Sequence, residues 1–135
     1  MRKILIADDD ARMRRVIRDI IAGLGMTVCE AHSGAEAFGL YMIERPDWVL
    51  MDLRMKPMDG LQATTQIKAH SPEARVVIVS QHDDPELRRA AAQAGACAYV
   101  LKDNLYELPG ILTGMSPAII AKQASVAESG TVSPS

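Results

Sequence analysis

Residues 4–10 read ILIADDD, four apolar side chains running straight into three aspartates. A short, nearly continuous apolar run fits a strand covered on both faces, the habit of parallel sheets. The puzzle is its end. Two carboxylates about 4 Å apart repel by roughly 1 to 4 kcal/mol, depending on how well water screens them. Aspartates delivered side by side by a buried strand therefore call for a cation, or for open solvent.

Outward from this run, apolar strands alternate with amphipathic stretches. Met13, Val16, Ile17, Ile20, Ile21 and Leu24 recur at helical spacing, and Gly23 and Gly25 can end that helix. MTVCEA (26–31) is a more polar strand, suited to a sheet edge. Ser33 and Glu36 have the spacing of a capping box. The helix they open runs to Glu44, because Pro46 disfavours helical geometry at Arg45. WVLMD (48–52) is the third strand, followed by the loop LRMKPMDG (53–60), with Asp59-Gly60 as a turn, and a short helix over 61–69. ARVVIVS (74–80) is the fourth strand. Asp84-Pro85 supplies an N-cap and a proline at the first helical position. Leu87, Ala90, Ala91 and Ala94 give that helix a narrow apolar face, Gly95 stops it, and CAYVLK (97–102) is the fifth strand. The β-α alternation predicts an α/β fold, a doubly wound five-stranded parallel sheet whose strands can take the flavodoxin-like order 2-1-3-4-5. The last repeat is irregular. Pro109 starts a helix that Gly114 and Ser116-Pro117 cut short, and AIIAKQASVA (118–127) forms a second piece, so the final helix is shortened or split. One domain is expected over 1–115, followed by a linker helix and disordered tail over 116–135.

The bulk properties exclude several classes. The chain has 135 residues, enough for one domain, and a net charge of −2, which gives no electrostatic footprint for nucleic acid. No stretch approaches the ~20 apolar residues of a membrane span. The basic-then-apolar N-terminus is too short for a signal peptide, so the expected compartment is the cytoplasm. Cys29 and Cys97 show neither metal nor redox spacing, and they fall on strands two and five, at opposite sheet edges, which argues against a disulfide. His32, His70 and His82 are scattered and read as surface residues; Arg12, Arg14, Arg15 and Arg18 read as the solvated face of the first helix. Met51, Met55 and Met58 read as core and loop packing.

In open parallel sheets, sites form beyond the carboxyl ends of the strands. Asp8, Asp9 and Asp10 follow the first strand, Asp52 ends the third, Ser80 the fourth and Lys102 the fifth. Clustered oxygens without His or Cys suit a hard cation such as Mg²⁺. A carboxylate beside such a cation can attack phosphorus, with the metal and a lysine neutralising charge on the transferring group.

At these positions the chain resembles the receiver domain of two-component response regulators. DDDARMRR (8–15) stands where the family has its acidic pair. MDLRMKPMDG (51–60) is similar to the family's acceptor loop, VVIVSQHDD (76–84) carries its Ser/Thr position, and GACAYVLKD (95–103) its aromatic and lysine. The resemblance runs from Lys3 to Lys102 and implies roles. Asp52 accepts a phosphoryl group; Asp8, Asp9, Asp52 and the backbone carbonyl of Arg54 hold Mg²⁺; Ser80 binds the phosphoryl group and shifts toward it. Lys102 pairs with it, and Tyr99 is the aromatic that reports the state. Asp10 is expected at the start of the first helix, facing solvent. The implied donor is a histidine kinase or phosphotransfer protein, the implied readout face lies around the fourth helix and fifth strand, and a homodimer is compatible with the pattern. SPAIIAKQAS (116–125) is similar to the linker before a helix-turn-helix output domain in regulators of the nitrate-response type. No nucleic acid is expected to bind these residues themselves.

Two departures stand out. The loop proline is Pro57, one residue later than usual in the family, and Gln81 occupies a position that is usually small. They leave a second reading, a receiver-like interaction module that is never phosphorylated. A third class, an aspartyl phosphohydrolase with Asp-x-Asp on the first strand, is disfavoured because Arg12 stands where such enzymes carry Thr. A receiver is a signalling domain rather than an enzyme, with at most self-phosphorylation from small donors and autodephosphorylation.

Overall fold

A computed structural model describes residues 2–114 of the chain. The expected helical piece over 118–127 and the rest of the 116–135 segment lie outside the described residues. The elements are β1 (Lys3–Ala7), α1 (Ala11–Ile21), β2 (Thr27–Ala31), α2 (Gly34–Glu44), β3 (Trp48–Asp52), α3 (Gly60–His70), β4 (Val76–Ser80), α4 (Pro85–Ala94), β5 (Ala98–Leu101) and α5 (Leu108–Leu112). All strand pairs are parallel, and the sheet order is β2-β1-β3-β4-β5. The doubly wound fold read from the β-α alternation is the one formed.

Two apolar layers hold the sheet, and the alternation of side chains along each strand assigns residues to them. Leu5, Val49, Met51, Val76, Ile78 and Tyr99 face α2, α3 and α4, where Ala37, Tyr41, Ala63, Ile67 and Ala91 meet them. Ile4, Ile6, Leu50, Val77, Val79 and Val100 face α1 and α5, where Ile17, Ile21, Leu108, Ile111 and Leu112 complete the other layer. The central strands β3 and β4 are buried throughout, whereas β2, more polar in sequence, is an edge strand with its first residue exposed. Cys29 and Cys97 are both free thiols. Among the described residues, no helix is long and apolar enough to cross a membrane.

Local signals set the helix starts, and some do so differently from the sequence reading. Asp10 is exposed and caps α1, accepting from the Arg12 amide at 2.9 Å. Asp84 caps α4 ahead of Pro85, accepting from the Glu86 amide at 2.8 Å. Ser33 accepts from the Glu36 amide at 3.0 Å, but the Glu36 carboxylate receives the His32 amide at 2.7 Å rather than that of Ser33, so the capping box is half formed. The full box is at α3: Asp59 accepts from the Gln62 amide at 2.8 Å and Gln62 Oε1 accepts from the Asp59 amide at 2.9 Å. Asp59-Gly60 is thus a helix start rather than a free turn. Arg45, before Pro46, takes a left-handed conformation with φ of 49° and ends α2. Past β5 the chain winds through 3-10 turns kinked at Asn104 (Lys102–Glu107) into the five-residue α5, and Gly114 follows with φ of 65°.

Candidate functional site

Parallel pairing aligns the strand ends. Ala7 pairs with Met51, Asp52 with Val79, and Ser80 with Leu101. The next residues along these strands bring Asp8, Asp52, Ser80 and Lys102 to one rim. They line a cleft of about 200 Å³ together with Asp9, Asp10, Arg54, Gln81 and His82. Six of the seven residues given roles by the resemblance therefore share one cleft, and the seventh, Tyr99, lies beneath its loop.

Asp8 is fixed from several directions. Its amide donates to the Ala31 carbonyl at 3.0 Å, and its Oδ1 accepts from the Asp10 amide at 2.8 Å. Arg14 donates from Nη1 to the Asp8 carbonyl at 2.6 Å and from Nε to Glu30 Oε1 at 2.7 Å. Arg18 also donates to Glu30, and hydrogen bonds from Arg18 and then Arg14 hold the Glu30 carboxyl below its usual range. Arg14 is thus not part of a solvated face: it ties β2 to the loop that carries the acids.

The carboxylate itself is left with one open oxygen. Asp8 is 1% exposed. Its Oδ2 lies 3.0 Å from Nζ of Lys102, within ion-pair reach, yet accepts no well-directed hydrogen bond. The same Nζ lies 3.0 Å from Oδ1 of Asp52. One ammonium therefore serves two buried carboxylates. Burial, and then the charge of Asp8, push the Asp52 carboxyl above its ordinary value, more than Lys102 pulls it down. For Lys102, burial acts to lower the ammonium's pKa, but pairing with Asp52 and then the charge of Asp8 reverse this, and the net shift is upward.

Asp9 is exposed, and an oxygen from each of Asp8, Asp9 and Asp52 lies within 4.8 Å of the others. Three carboxylates, with no thiolate or imidazole among the convergent atoms, form a donor set for a hard divalent cation. The buried Asp8 Oδ2, short of a directed partner, is the atom such an ion would satisfy.

Ser80 is buried, and its Oγ accepts from the His82 amide at 3.0 Å. The buried ring of Tyr99 stands below the same loop, its hydroxyl donating to the His82 carbonyl at 2.7 Å. Burial raises the phenol's pKa, against the opposing effects of hydrogen bonding with Ser80 and the charge of Arg88. Gln81 is exposed at the cleft wall.

Sequence reasoning missed two contributors. Gly60 opens α3 so close to the acceptor strand that a Cβ there would stand 2.0 Å from the Asp52 carbonyl oxygen. Gly34 opens α2 in the same way, 1.9 Å from the Met58 carbonyl oxygen. Glycine directly after each cap residue was the available signal. At the shifted Pro57 the Lys56-Pro57 bond is cis, and Met58 follows at φ of 65°.

A flavodoxin-like open sheet with three carboxylates and a lysine at its carboxyl rim defines a class of α/β domains with an acidic rim pocket. Residues 4–111 match the response regulator receiver domain family, and the chain belongs to that family. It is 40% identical over 101 residues to the chemotaxis protein CheY of Bacillus subtilis, covering 74% of this chain and 84% of that protein. It is 35% identical over 104 residues to the probable transcriptional regulatory protein NarL of Mycobacterium tuberculosis, covering 76% of this chain but only 48% of NarL. Among solved structures, a two-component response regulator of the LuxR family from Aurantimonas superposes with a TM-score of 0.78 at 33% identity, covering 93% of this chain and 96% of that one. The chain is therefore a CheY-like receiver domain of two-component systems. The narrower likeness to nitrate-response regulators is one of several that these relatives support. Receiver domains are signalling domains and bind Mg²⁺ at an acidic pocket, the feature formed here by Asp8, Asp9 and Asp52.

Proposed function

We infer that Asp52 accepts a phosphoryl group from a histidine kinase or phosphotransfer protein, and that this phosphorylation switches a protein-interaction face around α4 and β5. The observation that carries the reading is the sharing of Lys102 Nζ between Asp8 and Asp52 while Asp8 Oδ2 lacks a directed partner. Such a pocket already holds the charge needed to receive a phosphoryl group and a divalent cation. Asp8, Asp9, Asp52 and the Arg54 carbonyl would hold Mg²⁺, which neutralises charge on phosphoryl oxygens when bound. An Asp52 carboxylate oxygen attacks phosphorus, the bond from phosphorus to the donor nitrogen breaks, and an acyl phosphate forms. Lys102 then pairs with the phosphoryl oxygens. Ser80, one hydrogen bond from His82, turns its hydroxyl toward them, and Tyr99 follows through the His82 carbonyl.

A homodimer and a cytoplasmic location belong to the same reading of the chain as a receiver domain. Incubation with acetyl phosphate and Mg²⁺, followed by intact mass measurement, is expected to show one added phosphoryl group in the wild type and none in Asp52→Asn. An unchanged wild-type mass would leave the unphosphorylated interaction module as the better account.

A further inference from the structure

We propose that Arg88 is a positioning residue that, braced by Asp83, holds Tyr99 in its inward position before any phosphoryl group arrives. The inference rests on the reading of Asp52 as phosphoacceptor and adds the residue that sets the resting state of the switch aromatic.

Three structural pieces close on one another here. The Tyr99 hydroxyl donates to the His82 carbonyl at 2.7 Å, and the His82 amide donates to Ser80 Oγ at 3.0 Å, so the ring is tied to the loop that meets the pocket. Over the ring stands the Arg88 guanidinium, its central carbon 4.6 Å from the centroid. That is inside the ~6 Å at which a cation is drawn to an aromatic face. Arg88 Nε donates to Asp83 Oδ1 at 2.8 Å, and Asp83 directly follows His82 in the same loop. Ring, helix and loop are thereby fastened in a closed circuit: His82 to Tyr99, Tyr99 to Arg88, Arg88 to Asp83.

Helix stability does not account for this arginine. Arg88 stands in the first turn of α4, where a cation opposes the positive end of the helix dipole. Its side chain is only 15% exposed, whereas that of Asp83 is 64% exposed. A purely solvating arginine would extend into water, but this one lies folded onto an aromatic ring. The contact is with Tyr99, whose hydroxyl joins the Ser80 loop.

The consequence is pre-organisation. Movement of Ser80 toward a phosphoryl group passes through His82 to Tyr99. With the ring already held inward, the arriving group need not recruit a minor conformer. Loss of the clamp is expected to lower the inward population, and with it the apparent affinity for a phosphoryl mimic, by roughly 2- to 30-fold.

The test uses the whole chain with ring-labelled tyrosine, followed by nuclear magnetic resonance first without ligand and then during titration with beryllofluoride and Mg²⁺. Arg88→Met is expected to shift the Tyr99 ring signal toward that of an exposed tyrosine and to weaken beryllofluoride binding by the factor given. Arg88→Lys, which restores the cation, is expected to recover most of both effects. Asp83→Asn is expected to fall between them, and because its acid is largely exposed it carries the test if Arg88→Met does not fold. A Tyr99 signal unchanged in both Arg88→Met and Asp83→Asn overturns the clamp, as does unchanged affinity for beryllofluoride. A wild type that ignores beryllofluoride overturns the phosphoacceptor reading instead, while the ligand-free ring signal still decides whether Arg88 holds Tyr99.

Discussion

Asp52 and Lys102 respond to pH in ways that can be worked out from their neighbours. The Asp52 carboxyl titrates above its ordinary value, so folding disfavours its charged form. Its contribution to stability is therefore fullest below the unfolded value of about 3.9 and is lost as pH rises through the folded value. Asp52→Asn is expected to stabilise the protein at pH 7 by about 1 kcal/mol in metal-free buffer, and the gain should vanish near pH 3 to 4. Urea melts at the two pH values check both halves of this statement. A loss at pH 7 that disappeared in acid would mean that the attraction of Lys102 outweighs burial and Asp8. Lys102, shifted upward, behaves as a cation with acid partners: its stabilisation is present below its unfolded value of about 10.4 and is lost above the folded one. Lys102→Ala is expected to lower stability by about 1 to 3 kcal/mol in chelator, since two buried carboxylates lose their shared counter-charge. Combined with Asp52→Asn, the loss should be smaller than additive, because a single remaining acid has less to be relieved of.

Helices α2 and α3 begin on glycines that touch the acceptor loop, and this is where element geometry reaches the chemistry. A Cβ at Gly60 would meet the Asp52 carbonyl oxygen at 2.0 Å and the Leu53 Cα at 3.0 Å, backbone atoms that cannot swing aside. Gly60→Ala is expected to cost more than about 2 kcal/mol and to slow labelling of Asp52 by acetyl phosphate, as the loop is pushed off its path. Gly39, inside α2 with nothing within 4 Å of its would-be Cβ, is the contrast. There, alanine should stabilise by about 0.5 to 1 kcal/mol and leave labelling unchanged, by the same urea and mass measurements. These positions also mark how far the sequence could be read. The strands were legible because ILIA, WVLM and VVIV are apolar runs too short for helices, spaced by amphipathic stretches, whereas their order is one of the few that a doubly wound sheet permits. The carboxyl-rim residues were legible because topology alone carries strand ends to one side. Contacts between distant elements were not. Arg14 reads as one more arginine on a charged face until β2 brings Glu30 against it. Glu36 has the spacing of a capping box but is taken up by the His32 amide. The 3-10 winding over Lys102–Glu107 has no periodic signature in KDNLYE, whereas Pro109 and Gly114 announced the short α5 that follows.

At the scale of the whole molecule, the acidic rim and the buried sheet are energetically one object. The sheet is held by two apolar layers with β3 and β4 wholly inside, so β1 and β3 cannot yield to separate their terminal carboxylates. The repulsion between Asp8 and Asp52 is instead borne by the fold, eased by one lysine. A ligand that binds only the folded acids must then add its binding free energy to the stability of the entire domain. For a cation at ten times its dissociation constant this amounts to RT ln 11, about 1.4 kcal/mol. In a domain of this size that corresponds to a rise in Tm of roughly 4 to 7 °C. Mg²⁺ is expected to produce such a rise, while Na⁺ at matched ionic strength should not, since screening alone acts weakly on buried pairs. Asp9 is the discriminating position. It is the exposed member of the triad and is not among the acids that Lys102 contacts, so Asp9→Ala should leave the metal-free Tm nearly unchanged while removing the Mg²⁺ dependence. Calorimetric melts of both proteins across a Mg²⁺ titration decide the matter. Parallel upward shifts in wild type and Asp9→Ala would place the ion elsewhere on the protein and detach the rim carboxylates from any metal role.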